Sequence, residues 1–108
     1  MKRFYLFCNA GMSTSFLASR MQKVAEDNHL PIEVKAFPDA EMDTIVTTYH
    51  PDVILLGPQV KYLLDKVTER YGKDCPVMVI DSKDYGVVDG ERVLKAAMIA
   101  YKEGKKHD

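Results

Sequence analysis

The chain has 108 residues and a mass of 12.2 kDa, the span of one domain around one real core. Fifteen Lys and Arg against sixteen Asp and Glu leave a net charge of −1, with 46% apolar and 29% charged residues. This balance excludes a generally basic nucleic-acid binder. No apolar run approaches the ~20 residues that span a bilayer.

Residues 4–7 form a short apolar run and predict a fully buried strand. The run breaks at Asn9, too short for a signal peptide, so the expected location is cytoplasmic. A helical pattern follows, with Leu17, Met21, Val24 and Ala25 on one face and Pro31 barring its continuation. Ile32, Val34 and Ala36 alternate with Glu33 and Lys35, the pattern of a half-buried edge strand. Asp39 is placed to cap a second helix whose face is Met42, Ile45, Val46 and Tyr49. His50, Pro51 and Asp52 turn the chain into a continuous apolar strand at 53–56, ended by Gly57 and Pro58.

Val60, Leu63, Leu64 and Val67 predict a third helix, with Gly72 at its C-terminal end. Residues 77–80 read as a fourth strand and 81–90 as a polar loop. A last helix opens at Asp89 or Gly90 and carries Leu94, Ala97, Met98 and Tyr101; residues 104–108 read as a frayed tail. Four strands alternating with four helices predict an α/β three-layer sandwich. Its sheet is parallel, in the order 2-1-3-4, with helices on both faces. That order puts a topological switch point between the first and third strands, where open sheets bind ligands. The segments starting at Cys8 and Gly57 meet there.

The segment Cys8-Asn9-Ala10-Gly11-Met12-Ser13-Thr14-Ser15 lies between strand and helix. Successive N–H groups in such a loop can form an anion nest, and the helix behind adds the positive end of its dipole. Gly11 permits backbone conformations closed to other residues, and the three hydroxyls add donors. The segment reads as a phosphate cradle with a thiol at its mouth. A helix N-terminus stabilises a thiolate and so favours a nucleophilic cysteine. The plainer reading of Cys8 is a small apolar residue ending a strand; the cradle and the switch point favour the nucleophile.

No charged residue occurs from Cys8 through Ser19. A Cys-x5-Arg phosphatase loop would place Arg where Thr14 stands. Without a guanidinium the segment lacks the clamp that stabilises phosphoryl transfer to water. The expected chemistry is to accept a phosphoryl group on sulfur, shield it from water, and hand it to a molecule that brings its own charges. Cys8 and Cys75 show no CxxC spacing and no nearby His, so neither a zinc site nor a redox pair is indicated, and no cofactor is called for.

At these residues the sequence resembles the lactose/cellobiose (chitobiose) family of IIB components of the bacterial sugar phosphotransferase system (PTS). Cys-x-Ala-Gly-Met-Ser-Thr-Ser at 8–15 resembles the family's phosphorylated loop. Leu56-Gly57-Pro58-Gln59-Val60-Lys61-Tyr62 resembles the loop after the third strand. Ile80-Asp81-Ser82-Lys83-Asp84-Tyr85-Gly86, running on to Asp89-Gly90, resembles the one after the fourth. The resemblance runs over essentially the whole chain and implies a single type-3-like EIIB domain at 1–108, with the layout of low-molecular-weight tyrosine phosphatases. Asn9 stands where Ser is common, and the Ala10–Ser15 string tilts toward the cellobiose/chitobiose group.

The resemblance implies a cysteine phosphocarrier. Phosphoryl passes from phosphoenolpyruvate through enzyme I, HPr and a phosphohistidine of IIA to Cys8. It then passes to a sugar held by the membrane IIC component, beside which the protein works peripherally. No nucleic acid is involved. Asn9, Ala10, Gly11, Met12, Ser13, Thr14 and Ser15 would bind the phosphoryl oxygens, and Gln59 and Tyr85 could join them or serve only loop architecture. Asp81 and Asp84 could restrain the thiolate or pair with a partner's cations, although loop carboxylates are more often simply solvated. Met12, Phe16 and Leu17 could form a docking rim, Leu17 having the core as its other reading. His29, His50, His107 and Cys75 read as structural or solvated. The alternatives are a low-molecular-weight cysteine phosphatase or arsenate reductase relative, which the missing loop Arg disfavours, and a flavodoxin-like regulatory domain. A receiver domain of that layout would need an acidic cluster at the strand ends, where Cys8 stands.

Overall fold

The computed structural model describes residues 1–9 and 11–106, and all their side chains except those of residues 11–13, 105 and 106. Ala10 and the side chains of Gly11, Met12 and Ser13, all expected in the cradle, lie outside the described residues, as do His107 and Asp108. Strand β1 spans Lys2–Cys8, helix α1 Gly11–Asp27, β2 Ile32–Pro38, α2 Met42–Tyr49 and β3 Val53–Leu56. Then come α3 at Leu64–Tyr71, β4 at Val77–Val79, α4 at Ser82–Gly86 and α5 at Gly90–Lys106. Among the described residues the strands form one sheet in the order β2-β1-β3-β4, every pairing parallel.

The continuous apolar runs follow from a sheet covered on both faces. Alternate side chains of β1 enter two different cores. Phe4 and Leu6 join Leu17, Met21, Val53, Leu55 and Leu94 beneath α1 and α5. Tyr5 and Phe7 join Ile45, Val46, Ile54, Leu56 and Val67 beneath α2 and α3. Each such fully buried large side chain contributes about 1.5–3 kcal/mol.

β2 is one edge of the sheet, as its alternation predicts. Pro31 O accepts from Lys2 N–H on the β1 side, so the peptide groups of Ile32 and Val34 alternate to the open side. There the Gln22 amide meets both: Nε2 donates to Ile32 O at 3.0 Å, and Oε1 accepts from Val34 N–H at 2.7 Å.

Two of the three histidines end helices. His29 and His50 take the left-handed conformation, with φ of 55° and 49°. The His50 N–H closes the last turn of α2 on Val46 O at 2.9 Å. Both side chains are exposed.

Four local expectations are corrected. Asp39 does not cap α2: it opens a 3₁₀ turn, Asp39–Glu41, and makes no capping hydrogen bond there. The third helix begins at Leu64. Pro58–Leu63 is a separate 3₁₀ segment with a kink at Val60, because Pro58 fixes its own backbone and buried Val60 anchors the turn in the core. Residues 81–90 are not all loop. Asp81 accepts from Lys83 N–H and Asp84 N–H at 2.9 and 3.1 Å, satisfying donors that would otherwise be orphaned, and so starts α4. The tail from Gly104 continues α5 as far as Lys106. No helix among the described residues is long and apolar enough to cross a membrane.

Candidate functional site

Cys8 is the last residue of β1, at the carboxyl edge of the sheet. β3 lies beside it: Phe7 pairs with Leu56, and Phe7 O accepts from Gly57 N–H at 2.9 Å. The chain then parts from β1 toward α1 and from β3 toward the Pro58–Leu63 segment. This is the switch point expected from the strand order. α1 begins three residues after Cys8, and its first turn contains no acidic residue. The unpaired N–H groups and positive dipole end of a 17-residue helix therefore sit next to the thiol in the chain.

The cradle differs from the expected loop in one respect. Helix α1 starts at Gly11, so Ser13, Thr14 and Ser15 belong to its first turns and not to a preceding loop. Gly11 thus stands in helix, and no special backbone freedom is drawn on there. Thr14 is fully buried and shares a hydrogen bond with the Tyr85 hydroxyl at 3.1 Å, while Ser15 is exposed.

The thiol is less open than a cradle's mouth implies. Cys8 is 0% exposed. Its Sγ–H faces two amide oxygens, Gln59 Oε1 at 3.4 Å and Asn9 Oδ1 at 3.7 Å. Both Gln59 and Asn9 are exposed. Gly57 packs against the same sulfur so closely that a Cβ there would lie 3.1 Å from Cys8 Sγ and 3.1 Å from Gln59 Oε1. Sequence reading missed this close packing of Gly57; a glycine directly at the end of the strand beside that of Cys8 was the available signal.

The structure therefore brings Cys8, Asn9 and Gln59 together, and separately joins Thr14 to Tyr85. It does not bring Asp81 or Asp84 to the thiol. Asp81 caps α4, and Asp84 pairs with Arg92 at 3.0 Å. Of the expected rim, Phe16 is 53% exposed with Arg20 5.0 Å over its ring, whereas Leu17 is wholly buried in the core. Cys75 lies at the other end of the sheet, before β4, buried. Burial, aided by Asp74 and Asp52, pushes its thiol up to about 11. Among the described residues no group of three or more His, Cys, Asp or Glu is arranged to hold a metal ion.

Comparison with known proteins follows the same lines. The family model for the lactose/cellobiose-specific IIB subunit of the PTS matches residues 3–96. The chain is 43% identical over 96 residues to a cellobiose-specific EIIB component of Lactococcus lactis subsp. lactis, covering 85% of this chain and 89% of that protein. It is 42% identical over 96 residues to a galactose-specific EIIB component of Lactococcus lactis subsp. cremoris, with the same coverage. An oligo-beta-mannoside-specific EIIB component of Bacillus subtilis is 32% identical over 101 residues, covering 91% of this chain and 94% of that one. The solution structure of a cellobiose-specific IIB component from Borrelia burgdorferi superposes with a TM-score of 0.76 at 31% identity, covering 95% and 94% of the two chains. A lactose-specific IIB domain from Streptococcus pneumoniae shares the fold, with a TM-score of 0.79 at 14% identity over 93% and 97%.

Proposed function

The chain belongs to the lactose/cellobiose-specific IIB family of the PTS, whose members are phosphotransferases, and on that premise we propose that Cys8 carries the phosphoryl group. The observation that supports this most is its position: a thiol ending β1 at the switch point, directly before the N-terminus of α1.

In the first step the Cys8 sulfur, having given up its proton, attacks phosphorus of the phosphohistidine of a IIA protein in line with the departing nitrogen. An S–P bond forms and the P–N bond breaks. The electron pair of that bond stays on the imidazole, which takes up one proton, so protons balance over the step. In the second step a hydroxyl of a sugar held by the membrane IIC component attacks the same phosphorus. The S–P bond breaks, an O–P bond forms, and the hydroxyl proton is released as the thiol reforms. Positioning and electrostatics are the levers in both steps.

The backbone N–H groups of residues 10–15 are the proposed phosphoryl ligands, with Asn9 and Gln59 at the rim. Thr14 is held by its hydrogen bond with the Tyr85 hydroxyl. An uncharged cradle suits a carrier, since nothing in it compels transfer to water. The proposed sugar is a cellobiose- or chitobiose-type β-glucoside. The cellobiose-specific relative at 43% identity and the Ala-Gly-Met-Ser-Thr-Ser string support it; the galactose- and oligo-beta-mannoside-specific relatives mark the competing substrates.

The test is an intact mass after incubation with phosphoenolpyruvate, enzyme I, HPr and a cellobiose-type IIA. One added phosphoryl group, absent in Cys8→Ser, is the expected result. No adduct while the IIA is itself phosphorylated would count against the reading.

A further inference from the structure

In the free protein two amide oxygens, Gln59 Oε1 and Asn9 Oδ1, face a sulfur that has one proton to give. This suits a resting thiol. It is the wrong arrangement for the next two states of the cycle: a thiolate and an S-phosphoryl group offer no proton, only negative charge. An amide oxygen left facing either is repelled, whereas an amide N–H in the same place is a donor to both.

We propose that Gln59 is a two-state partner of Cys8. Its side-chain amide holds the thiol through Oε1 in the free protein and turns over to present Nε2–H to the phosphoryl group in the loaded one. The inference rests on the phosphocarrier reading and adds to it how the site changes between its two states.

The surroundings favour a side-chain turn over a backbone movement. Gly57 N–H is bonded to Phe7 O at 2.9 Å, and Val60 N–H to Gly57 O at 3.0 Å. Val60 is wholly buried, so Gln59 stands on an anchored turn. The Gln59 side chain itself is exposed and free of the core. Rotation about its terminal torsion exchanges oxygen for nitrogen at almost the same place, because the two ends of the amide are nearly the same shape. Gly57 keeps that place open: a Cβ there would lie 3.1 Å from both Oε1 and the sulfur. Gln59 is the better placed of the two amides, at 3.4 Å against 3.7 Å for Asn9.

Two measurements test this. The first needs no variant: side-chain amide NMR of the wild-type protein, free and phosphorylated. The Gln59 Nε2 protons should move to the position of hydrogen-bonded donors and exchange more slowly with water when Cys8 is loaded. The second compares loading rates from phospho-IIA by intact mass. Gln59→Met keeps length without polarity and should slow loading severalfold. Gln59→Glu keeps the oxygen but cannot turn a donor inward, and should slow it about tenfold more than Gln59→Met. Unchanged Gln59 Nε2 resonances on loading, or equal loading by Met and Glu variants, would overturn the two-state role while leaving the carrier intact. Failure of the wild type to load from phosphorylated IIA would instead strike the carrier reading itself.

Discussion

The Tyr85 hydroxyl lies 3.1 Å from the hydroxyl of Thr14, joining α4 to the N-terminal turn of α1 across the carboxyl edge of the sheet. Thr14 is fully buried, so its hydroxyl has been taken from water and needs this partner. Tyr85→Phe keeps the ring, which packs against the core, and removes only the bond. It should cost about 1 kcal/mol in urea unfolding. Combined with Thr14→Val, the two losses should fall short of their sum, since one interaction is being deleted twice. Fully additive losses would mean that the bond contributes nothing.

Gly57 is needed for space rather than for conformation. Its φ of −62° and ψ of 153° are open to any residue, so strain plays no part. Gly57→Ala should fold with a loss of about 1 kcal/mol from crowding. Its clearer effect should be on phosphoryl loading, because the added methyl meets both the sulfur and the amide beside it. A variant that loads at the wild-type rate would show that neighbouring atoms give way freely.

The two cysteines should separate in a simple exchange. Cys8→Ser should fold with nearly native stability and accept no stable phosphoryl group. Cys75→Ser should still load, because it lies at the far end of the sheet. Intact mass after phosphotransfer reads both. If the variants behave in the opposite way, the site assignment fails.

Cys75 also makes a pH prediction. Burial raises its thiol to about 11 in the folded protein. Between the ordinary thiol range and that value, the unfolded chain has lost the proton and the folded one retains it. Stability therefore falls as pH rises through this window, and the contribution is fully present below it. Tyr71, pushed up to about 12 by burial and by its hydrogen bond to Asp43, extends the fall at higher pH. Urea titrations from pH 8 to 11 should show a shallower decline for Cys75→Ala than for the wild type. Parallel curves would mean that the thiol does not contribute.

The strand order and the place of Cys8 were legible because β1 and β3 are buried on both faces and so read as unbroken apolar runs. α4 was not, because five residues cannot show a helical period. Asp81 as a cap was its one available signal. Ser13, Thr14 and Ser15 read as part of the segment between strand and helix, whereas they fill the first turns of α1. The closure of Gln59 and Gly57 on Cys8 depends on the register of β3 against β1. Chain order brings them to the same edge of the sheet. Only the register sets an amide oxygen against the sulfur.

Gln22 has a consequence for crowded solutions. The outer side of a parallel sheet's end strand is a template on which a stray chain can add itself. Here one helical side chain supplies to Ile32 and Val34 the donor and the acceptor that an invading strand would bring. The first rung of the ladder is already occupied from within the molecule, so a foreign strand must displace Gln22 before it gains a bond. Protection against aggregation along this edge is thus built into α1, the helix whose other end stands beside Cys8.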